Sequence, residues 1–395
     1  MKLLQSKLAQ YTEPQKAKAA GIYPYFRAIS SEQDTEVIIN GRKVLMFGSN
    51  CYTGLVNHPK IKQAAIEAIQ KYGTGCAGSP FLNGTLDIHK KLERRLADYV
   101  GKEDAMVYST GFGVNLGVVS TLTGRGDYIL CDEQDHASIV EGRRLAFSTP
   151  LKYKHNDMAS LEAQLKRCEP DRVKLIVTDG VFSMEGDVCN LPDIVDLAHK
   201  YDACVMVDEA HSIGVFGEGG RGVCNHFGLA DEVDLIMGTF SKSFASLGGF
   251  IATDEVITNF LRHHSRSYIF TASITPASTA AVNAALDIML TEPERQKHLW
   301  DITHYALDGL REMGCEIGNT STPIIPLYIR DNNKTFAITR DLLEEGIFVN
   351  PVVSPAVAAN DTLIRFSLMA THTREQVTTA LEKIQKVFRN YGLIP

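Results

Sequence analysis

The chain has 395 residues, of which 44% are hydrophobic and 22% are charged. These values are typical of a globular protein of two or three domains, and they exclude a disordered or collagen-like chain. The formal net charge of −7 argues against a protein that coats nucleic acid, so we expect no nucleic-acid partner. It still allows a local basic pocket for a phosphate or a carboxylate.

The eight cysteines are scattered, and no two of them form a C-x-x-C pair. This spacing excludes zinc-ribbon and thioredoxin-like proteins, and we expect no metal site. Scattered thiols fit a reducing cytosol, and the first residues lack an apolar signal core, so we expect a cytoplasmic protein. No apolar stretch is long enough to predict a membrane span. Cys204 lies in the apolar run Cys204-Val205-Met206-Val207 and is expected to be buried.

The first part of the chain resembles an arm around one hairpin. Residues 36–47 alternate in the manner of two strands, and Asn40-Gly41 supplies the turn between them. Residues 59–71 then predict a helix, with Pro59 at its first turn and one apolar face.

Short apolar runs follow, alternating with helical segments such as 193–201, and each run ends in polar residues. This pattern predicts a mostly parallel sheet that is buried on both faces. In such sheets the active site lies beyond the carboxyl ends of the strands. The runs are 128–131, 174–177, 204–207 and 235–237, and the polar residues after them include His136, Ser183, Asp208, His211, Thr239, Ser241 and Lys242.

The pattern changes near residue 290. A long helical stretch to about residue 312 precedes strand-like segments at 324–329, 347–349 and 363–367. A last helix is capped by Thr373 with Gln376 three residues on, and its apolar face carries Val377, Ala380, Ile384 and Phe388. We therefore divide the chain into an N-terminal arm (1–57), a large domain (58–290) and a C-terminal α+β domain (291–395).

The motif Thr239-Phe240-Ser241-Lys242-Ser243 is the strongest chemical signal. A lysine that forms a Schiff base must be partly desolvated, which a strand end in a crevice provides. Asp208, after a neighbouring strand, is the carboxylate that a pyridine nitrogen needs. Together they predict pyridoxal 5′-phosphate (PLP) as the cofactor. In Ser109-Thr110-Gly111-Phe112-Gly113, glycines let the backbone N–H groups of a helix start approach its phosphate.

Two further side chains fit such a site. His136 follows a strand of the same sheet, where its ring can stack on a flat cofactor. Arg365 lies in the apolar run Leu363-Ile364-Arg365-Phe366, and a nearly buried guanidinium needs a partner such as a substrate carboxylate.

Two competing motifs are weaker. Val207-Asp208-Glu209-Ala210-His211 resembles a Walker B box, but upstream of Gly101-Lys102 the first glycine of the phosphate loop is replaced by Leu96. Residues 217–222 fit G-x-G-x-x-G, yet they follow the Asp208 loop rather than a strand. We interpret them as a glycine-rich turn.

The whole chain resembles the α-oxoamine synthases, which are PLP-dependent enzymes of fold type I with a seven-stranded, mostly parallel sheet. The resemblance rests on these motifs in one order: Phe47-Gly48-Ser49-Asn50-Cys51-Tyr52, Ser109-Thr110-Gly111-Phe112, Asp135-His136-Ala137-Ser138, Asp179-Gly180-Val181-Phe182-Ser183-Met184-Glu185-Gly186-Asp187, Asp208-Glu209-Ala210-His211, Gly238-Thr239-Phe240-Ser241-Lys242, Arg365-Phe366-Ser367 and Thr371-His372-Thr373.

The resemblance implies roles for individual residues. Lys242 forms the Schiff base and moves the α-proton, while Asp208 pairs with the ring nitrogen. His211 and Ser183 hydrogen-bond the ring hydroxyl, and His136 stacks on the ring and touches the substrate carboxylate. The phosphate is held by Gly111, Phe112 and Thr239, Ser241 also binds the cofactor, and Thr271 contacts the phosphate of the neighbouring subunit in a homodimer. Asn50 and Arg365 bind the amino-acid carboxylate.

The family condenses an amino acid with an acyl-CoA and releases CoA and carbon dioxide. The stretches Tyr72-Gly73-Thr74-Gly75-Cys76-Ala77-Gly78-Ser79 and Asn350-Pro351-Val352-Val353-Ser354-Pro355 are most similar to the branch that joins L-serine to palmitoyl-CoA, giving 3-oxosphinganine for sphingolipid synthesis. Pro80 stands where relatives usually carry an arginine, which puts the acyl-chain length in question. A lipid product leaves peripheral contact with the inner membrane open.

Three other functions stay open. The first is 8-amino-7-oxononanoate synthesis from alanine, for which Arg27 could bind the pimeloyl carboxylate, and the second is glycine C-acetyl transfer. Both would keep every cofactor residue. The third is a non-enzymatic subunit of the same fold, which Lys242 and Asp208 argue against.

Overall fold

The computed structural model describes residues 2–354 and 356–395, and only the backbone of Ala359. Its strands are β1 Glu36–Ile39, β2 Arg42–Met46, β3 Asp104–Tyr108, β4 Tyr128–Asp132, β5 Thr149–Tyr153, β6 Lys174–Asp179, β7 Cys204–Asp208, β8 Leu235–Thr239, β9 Gly249–Thr253, β10 Ile324–Tyr328, β11 Ile347–Phe348, β12 Asn350–Val352 and β13 Leu363–Ser367. Its α-helices are α1 Lys2–Leu8, α2 Glu13–Ala19, α3 Pro59–Tyr72, α4 Asp87–Val100, α5 Gly111–Leu122, α6 Ala137–Leu145, α7 Met158–Leu165, α8 Leu191–Tyr201, α9 Val223–His226, α10 Glu255–His264, α11 Arg266–Ile269, α12 Pro276–Thr291, α13 Pro293–Glu312, α14 Asn332–Glu344 and α15 Arg374–Asn390.

The described residues form two compact units. Unit 1 combines residues of Met1–Ser49, Asp301–Leu368 and His372–Pro395, and unit 2 combines Asn50–Trp300 with Met369–Thr371. The division of the sequence into arm, large domain and C-terminal domain stays a prediction.

Unit 2 is built around a seven-stranded sheet with the order β3-β9-β8-β7-β6-β4-β5. All its strand pairs are parallel except the two made by β9, which runs against both neighbours. The four apolar runs are the strands β4, β6, β7 and β8, as predicted. Because the parallel strands share one direction, their carboxyl ends meet at one edge of the sheet.

Unit 1 holds two three-stranded sheets, with the orders β1-β2-β11 and β10-β13-β12. The predicted hairpin is confirmed: β1 and β2 pair antiparallel with Ile39 opposite Arg42. Asn40 and Gly41 both have positive φ, 51° and 73°, as a two-residue turn between twisted strands requires.

The predicted helices are also confirmed, as α3, α8, α13 and α15. The Thr373 hydroxyl accepts a hydrogen bond from the Gln376 N–H, and the Gln376 side chain bonds back to Thr373. This capping box fixes the start of α15. Its apolar residues, Val377, Ala380, Ile384 and Phe388, are buried as expected.

Two smaller expectations have different outcomes. The glycine-rich segment 217–222 is a turn around a short 3₁₀ helix, Glu218–Gly220, as interpreted. The expected burial of Cys204 is wrong, because this residue is exposed at the first position of β7. Among the described residues, no helix has the length and apolar character needed to cross a bilayer.

Candidate active site

Lys242 lies in the loop after β8, three residues beyond the strand end. It is half-buried, whereas Phe240 and Phe244 on either side of it are fully buried. The loop is closed by hydrogen bonds from the Ser246 N–H to the Phe240 carbonyl (2.8 Å) and from the Ala245 N–H to the Lys242 carbonyl (3.0 Å). The two buried rings therefore fix the backbone on which the amine is presented.

Asp208 is the last residue of β7 and is almost fully buried. Its two carboxylate oxygens have separate donors: the Asn115 amide at 2.7 Å and the Ala210 N–H at 2.9 Å. Buried carboxylates require such donors. They hold the plane of the carboxylate and leave further lone pairs for a ligand.

Asn115, on α5, also connects Asp208 to His136. Its amide nitrogen lies 2.8 Å from the Ser138 hydroxyl, which lies 2.6 Å from Nδ1 of His136. The Ser138 N–H also donates to this Nδ1, at 3.2 Å. Because Nδ1 accepts, the proton of the neutral ring is assigned to Nε2.

The imidazole of His136 is kept neutral by its surroundings. Burial of the ring by protein atoms, opposed by Asp208 and reinforced by Lys242, lowers the pKa of His136. The residue nevertheless keeps an exposed surface. A neutral ring with an open side is suited to stacking on a flat, electron-poor cofactor.

Asp179, the last residue of β6, anchors the backbone at His136. Its Oδ2 accepts the His136 N–H at 2.7 Å, and its own N–H donates to Asp135 at 3.1 Å. Burial, together with the negative charge of Asp208, raises the pKa of Asp179 well above the usual carboxyl range.

The start of α5 forms an anion cradle. The Thr110 hydroxyl accepts the Gly113 N–H at 2.9 Å, so Thr110 caps this twelve-residue helix. A Cβ at Gly111 would lie 2.5 Å from Oγ1 of Thr239. Glycine is therefore required where the helix start meets the end of β8, and Ser241 is joined to Thr239 by a 3.0 Å hydroxyl contact. The N–H groups of Gly111 and Phe112 head the helix, where the dipole favours an anion.

His211 is buried, and its Nδ1 lies 2.6 Å from the hydroxyl of the fully buried Tyr52. Sequence reasoning missed the contributions of Tyr52, Asn115 and Ser138. Tyr52 and Ser138 lie inside motifs that were quoted only for the family resemblance. Ser183 is half-buried in the loop that follows β6.

His155, which the sequence did not single out, ties together the loops of the site. Its Nδ1 lies 3.0 Å from Asp132, at the end of β4, and its Nε2 lies 2.7 Å from Asp187, in the Ser183 loop. Its ring packs edge-on against Phe182. Although burial acts in the opposite direction, the hydrogen bonds to the two carboxylates raise the pKa of His155 to about 10. His155 is therefore a cation between two carboxylates.

The other predicted residues lie elsewhere in the two units. Thr271 is exposed in a bend after α11 in unit 2. Asn50 is half-buried in unit 2, and its Oδ1 has no hydrogen-bond partner among the described residues. Arg365 is buried on β13 of unit 1, and one of its Nη atoms donates to the Ser367 hydroxyl at 2.6 Å. Their roles stay predictions.

The sheet, the lysine beyond β8 and the aspartate at the end of β7 define a class of cofactor-dependent transferases. The chain belongs to the aminotransferase class I and II family, whose profile matches residues 42–384.

Individual relatives show which enzymes of this family the chain is similar to. The chain is similar to a serine palmitoyltransferase of Bacteroides thetaiotaomicron, with 62% identity over 394 residues and coverage of 100% of both chains. It is also similar to an 8-amino-7-oxononanoate synthase of Petrotoga mobilis, with 43% identity, 97% of this chain and 98% of the relative covered. A solved serine palmitoyltransferase from S. paucimobilis with a bound PLP–myriocin aldimine has a TM-score of 0.96 and 35% identity, and covers 99% of this chain and 100% of that chain. These similarities confirm the predicted fold type and family resemblance.

Proposed function

We propose that this chain is a PLP-dependent acyltransferase that condenses L-serine with palmitoyl-CoA and yields 3-oxosphinganine, CoA and carbon dioxide. The observation that carries the proposal is the convergence of Lys242, Asp208 and His136 at one edge of the sheet. The relative of highest identity quoted above is named serine palmitoyltransferase, at 62% identity, whereas the oxononanoate synthase is 43% identical.

The residues present fit PLP. The cradle at Gly111, which has no room for a Cβ beside Thr239, takes the phosphate on the N–H groups of Gly111 and Phe112. The Asp208 carboxylate, oriented by Asn115 and Ala210, would hold a proton on the ring nitrogen. Bound PLP supplies an aldehyde for amines and a ring that withdraws electrons from the α-carbon of the amino acid.

Each side chain of the site has a separate role. Lys242 would hold the aldehyde at rest, and its Nζ would accept and later return the proton at the α-carbon. The buried Phe240 and Phe244 fix the backbone at Lys242. The lysine itself is half-buried, and partial desolvation of its amine keeps it reactive. His136 would cover one face of the bound ring, and its Nε2–H would be the donor for the amino-acid carboxylate. His211, held by Tyr52, and Ser183 hydrogen-bond the ring hydroxyl.

The assembly and location are also part of the proposal. The enzyme acts as a cytoplasmic homodimer in sphingolipid synthesis, and Thr271 of one subunit reaches the phosphate in the other. Thr271→Ala is expected to weaken PLP binding about tenfold, the effect of losing one hydrogen bond to a charged group. Unchanged PLP affinity in Thr271→Ala, or a monomer by sedimentation velocity, would refute the shared phosphate site of the homodimer.

The substrate is tested by titrating the PLP-loaded protein with L-serine, glycine and L-alanine while its visible spectrum is recorded. L-serine is expected to shift the cofactor band at the lowest concentration, and CoA release should then be greatest with palmitoyl-CoA among acyl-CoAs of graded length. A stronger response to alanine or glycine would assign one of the sister reactions instead.

Lys242→Ala is expected to abolish both the lysine-bound cofactor band and turnover. The matched control is Lys200→Ala, which removes an exposed lysine on α8 that pairs with Glu162. This control should behave as wild type. Normal turnover in Lys242→Ala would refute the mechanism.

A further inference from the structure

Unit 1 contains a cavity of about 410 Å³ that none of the proposed cofactor residues lines. It is an open cleft lined by the chain around α2, by the β1–β2 hairpin and by α14. Its volume lies in the range that holds organic ligands rather than single ions. The apolar part of its lining consists of Tyr23, Ile39, Val44 and Leu343.

The charge of the cavity contrasts with that of the chain. Four cations line it, Lys18, Arg27, Arg42 and Arg340, against the single carboxylate of Glu344. The chain as a whole carries a net charge of −7. Positive charge is thus concentrated in one concave site of an acidic protein, and such a site attracts anions.

Three of these cations lack a carboxylate partner among the described residues. Arg27 donates only to main-chain carbonyls, from Nε to Pro24 at 3.1 Å and from Nη2 to Tyr23 at 3.5 Å. Arg42 donates to the carbonyl of Glu344 at 2.8 Å. The ammonium of Lys18 lies 4.8 Å from the centre of the Tyr23 ring. Only Arg340 has a paired acid, Asp341.

Arg27 is the most informative of the three. It is half-buried, and burial lowers its pKa. Its carbonyl contacts hold the guanidinium in a fixed orientation, and its other N–H donors remain for a ligand. A desolvated guanidinium is costly without an anionic partner. The arrangement is therefore that of a preorganised anion site.

We infer that this cavity binds an organic phosphate. Cations from three separate segments suit a group with three acceptor oxygens and about two negative charges, whereas one arginine fork satisfies a carboxylate. The apolar wall beside Tyr23 receives the organic part. The same chemistry is offered by a soluble nucleotide phosphate and by a phospholipid headgroup.

The test uses the PLP-loaded full chain, so that the cofactor already fills its own phosphate site. Binding of adenosine 3′,5′-bisphosphate and of inorganic phosphate is measured by calorimetry at low salt, because screening weakens such contacts. Binding to vesicles of phosphatidylglycerol or phosphatidylcholine is measured by sedimentation. Tight binding of the bisphosphate that the cavity variants weaken assigns a soluble ligand, and selective binding to phosphatidylglycerol assigns a headgroup.

The variants are Arg27→Gln and Lys18→Gln, with Lys16→Gln as the matched control. Lys16 lies on the same helix as Lys18 but pairs with Glu13 and does not line the cavity. Each cavity variant is expected to weaken binding about tenfold, as for a lost charge-assisted hydrogen bond. The control should stay within about twofold. Because Lys18 is exposed, Lys18→Gln is expected to fold normally. It therefore tests the inference even if Arg27→Gln folds poorly.

Three results overturn the inference. They are no binding of any probe to wild type, equal binding to the two kinds of vesicle without binding of the bisphosphate, and equal affinities in wild type and both cavity variants. Because none of these measurements involves serine or turnover, their failure is separate from failure of the proposed function.

Discussion

Replacing His155 should remove a stabilisation that depends on pH. In the folded protein its imidazolium lies between Asp132 and Asp187, and its pKa is about 10. An unfolded histidine has a pKa near 6.5. Because the folded pKa is the higher one, the stabilisation is complete below about pH 6.5 and is lost as pH rises through about 10.

The size of the effect follows from the same difference. At about 1.4 kcal/mol per pH unit, an upper limit is about 5 kcal/mol in the free energy of unfolding. The side chain is 19% exposed, and solvent screening reduces the value, so we expect about 2–3 kcal/mol. Truncation also leaves two carboxylates facing each other without the cation.

The assay is urea unfolding followed by circular dichroism at pH 6, 8 and 10, for wild type and His155→Gln. The variant should be less stable at pH 6, and the difference should shrink towards pH 10. His199→Gln is the control, since His199 pairs with Glu232 on the surface, where both side chains are at least half exposed. Curves for wild type and His155→Gln that stay parallel from pH 6 to 10 would refute a cationic His155.

Two further variants test the cofactor site. Gly111→Ala places a methyl group 2.5 Å from Thr239 Oγ1 and should weaken PLP binding at least about tenfold, by about 1–3 kcal/mol of strain. Gly124→Ala, whose nearest neighbour would lie 3.7 Å away, should leave the affinity unchanged, and equal fluorescence titrations of the two would contradict the cradle. Asn115→Ala removes the donor that links Asp208 to Ser138 and should raise the dissociation constant of PLP about tenfold and alter the pH dependence of the cofactor absorbance. An unchanged pH profile would mean that Asn115 acts only in packing.

The strand ends that carry the site could be predicted from the sequence because those strands are buried on both faces. Each is a short apolar run that stops abruptly at polar residues, so Asp208 and Lys242 stand out. Strand β5 has no such run: Thr149, Pro150 and Lys152 are exposed at the edge of the sheet. A half-exposed edge strand leaves a weak pattern.

The partners of the site residues were harder to predict. Asn115 lies on a helix and meets Asp208, 93 residues away, only because α5 packs on β8, the neighbour of β7 in the sheet. Tyr52 meets His211 across 159 residues. The helices α1 and α2 have seven residues each and contain no buried residue. Segments this short do not show a helical period clearly, so the sequence did not predict them within the arm.

The sheet β1-β2-β11 has a consequence for synthesis on the ribosome. Strand β2 pairs in parallel with β11, with Leu45 beside Ile347. At 5–20 residues per second, about 300 intervening residues take roughly 15–60 s to emerge. During that time the nascent hairpin carries an unsatisfied edge, while the seven strands of unit 2 can already assemble. Because β11 is translated late, unit 1 is completed after the sheet of unit 2. Until then, the exposed edge of β2 is the place where a chaperone would protect the nascent chain.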